Sequence, residues 1–251
     1  MLNGRKTRPT VATRHRAIPP RPPSPSKAHP WIFLFVGFVS FVVPSFLSAA
    51  TANAAETKTI VFFGDSLTAG YGLDRPSTDA YPALIQEKLD AVTAPTSSST
   101  PAPATTYRVV NAGLSGETTA GGLRRVDWIL RQPIDIFVLA LGGNDGLRGI
   151  DPALSEKNLQ GIIDRVRTRY PAAKIVLAGM MMPGSMGEDY AKAFAAMYPA
   201  LATKNHLTLV PFLLDRVGGV SNLNQGDRIH PNPAGHKIVA ETVWSFLKPL
   251  L

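Results

Sequence analysis

Four short strings in this 251-residue chain hold the residue types that acyl transfer requires. GDSLTAG (64–70) offers Ser66 three residues past an apolar run, and NAGLSGETT (111–119) offers Gly113, whose backbone N–H no side chain shields. GGNDGLRG (142–149) contributes the amide of Asn144, and DRIHPN (227–232) sets Asp227 three residues before His230. A serine hydroxyl attacks a carbonyl only when a base takes its proton, a third group orients that base, and hydrogen-bond donors meet the developing oxyanion. The spacing assigns Ser66 as nucleophile, His230 as base and Asp227 as its orienting carboxylate. Gly113 through its backbone N–H, Asn144 through its side-chain amide and Ser66 through its own N–H are the expected oxyanion donors.

Each of these residues has a plainer use when taken alone. Ser66 could cap a helix, and Asn144 sits among turn formers. The three-residue step from Asp227 to His230 settles more, because one turn of chain can carry the carboxylate to the imidazole Nδ1–H while Nε2 faces the serine. Beyond the first 54 residues the chain has two other histidines, His206 and His236. The first precedes a strand in a polar context and the second falls inside the last helix, so both read as structural or solvent-exposed.

The elements that must hold these strings follow from hydrophobic period. Apolar runs at 59–63, 107–111, 134–141, 174–178 and 207–210 have the length of strands buried on both faces. Between them Leu154, Leu159, Ile162, Ile163, Val166 and Tyr170, and then Tyr190, Phe194, Met197 and Leu201, recur at helical spacing. Asp151-Pro152 and Asn232-Pro233 mark helix starts, the second opening a helix from about Pro233 to Leu247. Alternation of this kind predicts an α/β fold, a three-layer α/β/α sandwich around a central parallel five-stranded sheet, with its site beyond the carboxyl ends of the strands. The Pro/Ser/Thr/Ala-rich stretch from Ala91 to Thr106 reads as a flexible surface insertion.

Residues 1–54 are of a different kind. Seven basic and no acidic residues lie before Trp31, an apolar run extends from Trp31 to Leu47, and Ala52-Asn53-Ala54 has the form of a signal-peptidase site. This segment reads as a basic leader plus export signal, directing the domain at 55–251 to the periplasm or the exterior. Its other reading is a retained anchor, the one route by which a membrane would be a partner. The net charge of +8 resides almost wholly there: without those seven residues 19 basic face 18 acidic ones, which provides no electrostatic basis for a nucleic-acid partner. Cysteine is absent, which excludes disulfides and cysteine-ligated zinc. Neither H-E-x-x-H nor an i, i+4 histidine pair occurs, so no metal and no other cofactor is expected. A monomer acting on a small-molecule substrate is the expected form.

The four strings, in this order, resemble those of the SGNH hydrolases, also called GDSL esterases and lipases, from about Thr57 to Leu251. NAGLSGETTAGG and LGGNDGLRG are similar to the branch of bacterial periplasmic enzymes acting as thioesterase, lysophospholipase and arylesterase. The resemblance implies the SGNH, flavodoxin-like form of the fold, no cofactor, and the same assignment of Ser66, Gly113, Asn144, Asp227 and His230. The string from Met180 to Gly187 departs from that branch. With Leu147 and Ile150 near Asn144, Met180, Met181 and Met182 suit an acyl chain, and Leu147, Met181 and Met182 are the expected substrate contacts.

Three other readings are open to the same residues. A carbohydrate O-deacetylase would use the same mechanism with a different leaving group. A non-catalytic binding relic of the fold would not need Ser66, Asn144, Asp227 and His230 together. An α/β-hydrolase would require a G-x-S-x-G elbow, which the chain lacks.

Overall fold

A computed structural model describes residues 56–94 and 105–251. Strands β1 (Thr57–Gly64), β2 (Thr106–Gly113), β3 (Ile136–Ala140), β4 (Lys174–Ala178) and β5 (Thr208–Val210) form one all-parallel sheet in the order β2-β1-β3-β4-β5. The helices are α1 (Ser66–Ala69), α2 (Pro76–Asp79), α3 (Tyr81–Thr93), α4 (Thr119–Ile129), α5 (Gly143–Leu147), α6 (Pro152–Arg169), α7 (Glu188–Asn205) and α8 (Pro233–Leu247). α3 packs on α8, while α4 packs on α6 and α6 on α7, giving the two outer layers. The three-layer α/β/α fold is therefore the one the alternation predicts. In this strand order the chain leaves β1 for one edge and returns through β3 to the other, so a crevice opens between the carboxyl ends of β1 and β3. The GDS and GGND strings follow those two ends.

The centre of the sheet is dry. Ile60 to Phe63 of β1 and Phe137 to Leu139 of β3 are fully buried. β2 departs from the expectation of burial on both faces, since most of its residues are partly exposed. It is an edge strand, and α3 covers the edge in an unusual way: Gln86 accepts from Val109 N–H (2.6 Å) and donates to Tyr107 O (2.9 Å). One amide side chain thus takes the place of a neighbouring peptide and blocks further pairing at that point.

The two predicted helix starts form as expected. Asp151 Oδ1 accepts from Ala153 N–H (2.9 Å) and Asn232 Oδ1 from Gly235 N–H (3.0 Å), each with proline in the first turn. Leu154, counted with the apolar stripe of α6, is exposed. It lies five residues before Leu159, which at about 100° per residue is ~140° around the helix from the buried face. The stretch read as an insertion is shorter than predicted, because Ala91 to Thr93 complete α3 and Thr106 opens β2. Thr93 Oγ1 returns to Leu89 O (2.9 Å), which closes the last turn of the helix. Residues 95–104, and the leader with its boundary at 54, lie outside the described residues.

His206 is the exposed left-handed cap of α7. His236 is buried in α8, where its Nδ1 accepts from Tyr81 N–H (3.2 Å). Burial, with His230 nearby as a second cause, pushes the His236 imidazole down to about 4, so it is neutral and serves as a fixed acceptor.

Candidate active site

Ser66 is positioned by the end of β1. Asp65 caps α1 by accepting from Leu67 N–H (3.0 Å), which makes Ser66 the first helical residue and leaves it buried at the head of the crevice. His230 arrives from the loop before α8, with Nε2 2.8 Å from Ser66 Oγ. Its Nδ1 is 2.6 Å from Asp227 Oδ2. The other carboxylate oxygen of Asp227 accepts from Ile229 N–H (2.9 Å) and His230 N–H (3.0 Å), so the three-residue spacing forms a closed turn around the carboxylate. Burial acts to raise the Asp227 carboxyl, but the bonds from the His230 ring and from the two backbone N–H groups outweigh it and hold it down at about 2.

Contacts that the sequence did not reveal hold this loop. Gln225 N–H donates to His230 O (2.8 Å), and its side-chain amide donates to Pro231 O (3.0 Å) and Tyr71 O (2.7 Å). The glutamine thereby ties the loop bearing His230 to the segment that follows α1. The Tyr71 ring lies over the imidazole with centroids 4.7 Å apart. Spacing contains no signal for the tie from Gln225 to Tyr71, which spans 154 positions, nor for the Tyr71 ring over His230.

Asn144 enters on the first turn of α5. Its Nδ2 donates to Glu117 O (3.0 Å) and stands 3.5 Å from Asp65 Oδ2. The neighbouring Asp145 is fully buried and accepts from Thr119 N–H (2.8 Å), Thr119 Oγ1 (2.6 Å) and Ser155 Oγ (3.2 Å), pinning α5 to the starts of α4 and α6. Glu117 is itself fixed by an ion pair with Arg125, whose guanidinium lies 4.3 Å from the centroid of the Phe63 ring.

Gly113 is the exception among the anticipated residues. Its N–H is already spent, donating to Asn111 Oδ1 (3.0 Å). A Cβ at this position would stand 2.3 Å from Ala69 N, so glycine is needed here to let β2 approach α1. The expectation that Gly113 donates to the oxyanion is corrected accordingly. Gly116 in the same string has the features that Gly113 lacks: φ is +79°, and its N–H makes no hydrogen bond among the described residues. Its C=O is held by Arg148 Nη2 (3.1 Å), and the next residue, Glu117, holds Asn144. The detectable signal was a glycine in the turn just before the Thr118 cap of α4, where a left-handed residue is required.

Ser66, Asn144 and His230 open into a cleft of about 630 Å³. Leu147, Met181 and Met182 all line it, joined by Met180, Phe212 and Ile229. Its volume and apolar walls are those of a small-molecule site. Among the described residues no group of three or more His, Asp or Glu side chains could hold a metal ion, and no helix is long and apolar enough to cross a membrane. A hydroxyl, an imidazole and a carboxylate in hydrogen-bonded series, beside an amide donor and an apolar cleft, can carry out nucleophilic acyl transfer.

Residues 62–238 match the GDSL-like Lipase/Acylhydrolase family. The chain belongs to that family. Proteins similar to it include esterase TesA of Pseudomonas aeruginosa, 39% identical over 198 residues that cover 78% of this chain and 91% of the relative. The thioesterase 1/protease 1/lysophospholipase L1 of Escherichia coli is 35% identical over 207 residues, 82% of this chain and 91% of that enzyme. The crystal structure of TesA superposes with a TM-score of 0.69 at 39% identity, covering 77% of this chain and all of that one. Membership makes this GDSL-like protein an acyl-ester hydrolase.

Asp65 adds an electrostatic feature to the site. Burial pushes its carboxyl up to about 6, although the Leu67 N–H and the neighbouring His230 act to lower it. A carboxyl raised above its unfolded value of 3.8 costs stability above pH 6, and that cost disappears as pH falls towards 4. Asn caps as well as Asp. Asp65→Asn is therefore expected to be more stable than the wild type at pH 8, by up to ~3 kcal/mol, with the difference closing towards pH 4. Thermal melts of both proteins at the two pH values measure this, and an equal difference at both would contradict it.

Proposed function

We propose that the protein hydrolyses carboxylic esters and acyl thioesters through an acyl-enzyme on Ser66. The observation that carries this reading is the series Ser66 Oγ, His230, Asp227, with contacts of 2.8 and 2.6 Å, at the head of an apolar cleft. In the proposed cycle His230 Nε2 takes the Ser66 proton as Oγ attacks the carbonyl carbon. The oxyanion is met by the Ser66 N–H, the Asn144 amide and the Gly116 N–H. His230 then returns its proton to the departing alcohol or thiol, and the acyl group stays on Oγ. Water, deprotonated by the same imidazole, releases the acid and restores Ser66. Asp227 keeps the tautomer with a proton on Nδ1 and balances the imidazolium charge.

Relatives named as an esterase and as a thioesterase and lysophospholipase support both leaving-group classes. The acyl chain is assigned to the wall formed by Leu147, Met181 and Met182. The enzyme is proposed to act as a monomer and to be exported, cleaved after Ala54, on the strength of the basic leader, apolar run and A-x-A string.

Hydrolysis of p-nitrophenyl esters from acetate to palmitate tests the reading. Each methylene buried in the cleft contributes about 0.8 kcal/mol, so kcat/KM should rise up to about fourfold per methylene over the shorter esters before the cleft is filled. A maximum at acetate, with faster release of acetate from acetylated xylan than of acid from acyl thioesters, would replace this reading with a carbohydrate O-deacetylase. Failure to label with a fluorophosphonate, together with no hydrolysis of any ester, would mark a binding relic.

A further inference from the structure

The turn that presents His230 carries a second functional group. Arg228 lies between Asp227 and His230 and lines the same cleft as Ser66. Its φ is +62°, a backbone region that a side chain with a Cβ disfavours and that glycine occupies freely. A turn needed only to bring Asp227 to His230 would be better served by glycine. Among the described residues the Arg228 guanidinium makes no hydrogen bond and no ion pair, although a carboxylate is adjacent in sequence. Asp227 is fully engaged, with one oxygen on the His230 ring and the other on two backbone N–H groups. Arg148, the other arginine near the site, is committed to Gly116 O. Arg228 is thus an exposed, uncommitted cation at the cleft.

The reaction itself gives the side on which this charge acts. The leaving group receives its proton from His230 and so departs past the 227–230 turn, whereas the acyl chain lies towards Leu147, Met181 and Met182. A guanidinium offers parallel N–H donors that match phosphate oxygens. We propose that Arg228 is a specificity residue that selects esters and thioesters whose leaving group carries a phosphate. This rests on the hydrolase reading above. The phosphate has two possible sources, a nucleotide thiol such as coenzyme A or a glycerophosphate headgroup.

The test compares kcat/KM within two substrate pairs of equal acyl length, all below their critical micelle concentrations. One pair is octanoyl-coenzyme A and octanoyl-N-acetylcysteamine; the other is octanoyl lysophosphatidic acid and mono-octanoylglycerol. The full chain is assayed as wild type, Arg228→Lys and Arg228→Gly. In at least one pair the anionic-to-neutral ratio is expected to fall about tenfold in Arg228→Gly and to be largely kept in Arg228→Lys. In the wild type that ratio should shrink as salt is raised from 50 to 500 mM, a reading that does not depend on any variant folding. The pair that responds identifies the source of the phosphate. Ratios in both pairs that are indifferent to salt and to Arg228→Gly overturn the proposal, as does an equal loss on charged and neutral substrates. A wild type that hydrolyses p-nitrophenyl esters but none of the four overturns the role of Arg228 alone, whereas one that hydrolyses no ester at all takes the hydrolase reading down with it.

Discussion

A Ser66→Ala protein is expected to fold as the wild type does and to lose at least about 10,000-fold in kcat. Among the described residues the Oγ being removed has one hydrogen-bond partner, His230 Nε2, so its loss removes the nucleophile without stripping a cap or opening the core. The first position of α1 is filled as well by alanine as by serine. The cap itself, Asp65 to Leu67 N–H, does not pass through the Ser66 side chain. Stability should therefore change by no more than about 0.5 kcal/mol. Residual turnover would come from the oxyanion donors and from binding in the cleft. Rates on p-nitrophenyl hexanoate with a parallel thermal melt check this. A folded variant that retains full activity would remove Ser66 from the chemistry.

Asp227→Asn is expected to have nearly as large an effect for a different reason. The amide carbonyl can still accept from the Ile229 and His230 N–H groups, so the turn survives. The change occurs at Oδ2, which faces His230 Nδ1 at 2.6 Å. An NH₂ group there donates to Nδ1 and moves the imidazole proton to Nε2, which then has no lone pair to receive the Ser66 proton. Replacing the orienting aspartate of a serine-protease triad by asparagine lowers kcat about 10,000-fold through the same tautomer change, and a loss of that order is expected here with the fold intact. Asp227→Ala should show a similar loss together with a looser turn. Near wild-type rates in Asp227→Asn would leave the carboxylate only a structural role. The acid side of the wild-type profile bears on the same point. With its folded value lowered to about 2 from 3.8, Asp227 favours the folded state above pH 4, and that support is lost only as pH falls towards 2. Asp227 therefore stays ionised across the range in which the imidazole can act as a base.

The uneven visibility of the site has a physical basis. The Asp227–His230 pair is readable because its geometry is made within one turn of chain, where three residues of spacing set the reach. Ser66 is readable because an apolar strand ending in a glycine must be followed by a turn. The alternation of strands and helices, and the caps at Asp151 and Asn232, are likewise local, written in hydrophobic period and in a side chain that reaches two or three residues ahead.

Gly113 shows where that reasoning ends. NAGLSGETT contains two glycines, and composition alone ranks the one at the strand end as highly as the one in the turn. Only the packing of β2 against α1 shows that Gly113 yields space to Ala69 and spends its N–H on Asn111, leaving the N–H of Gly116 without a partner among the described residues. The same holds for Gln86 along the free edge of β2, for Gln225 bridging Tyr71 and Pro231, and for Asp145 beneath Asn144. Apart from the short reach of Gln225 to Pro231, those contacts join residues 21 to 154 positions apart, and no local pattern marks one member of such a pair as belonging to the other. By itself, then, the sequence determined the elements, their order and the residues whose partners lie within one turn. The tertiary structure decided which glycine is free to donate, what braces the imidazole and the Asn144 amide, and where an uncommitted arginine meets the cleft, because each of these depends on surfaces that come together only when the sheet and its two helical layers close.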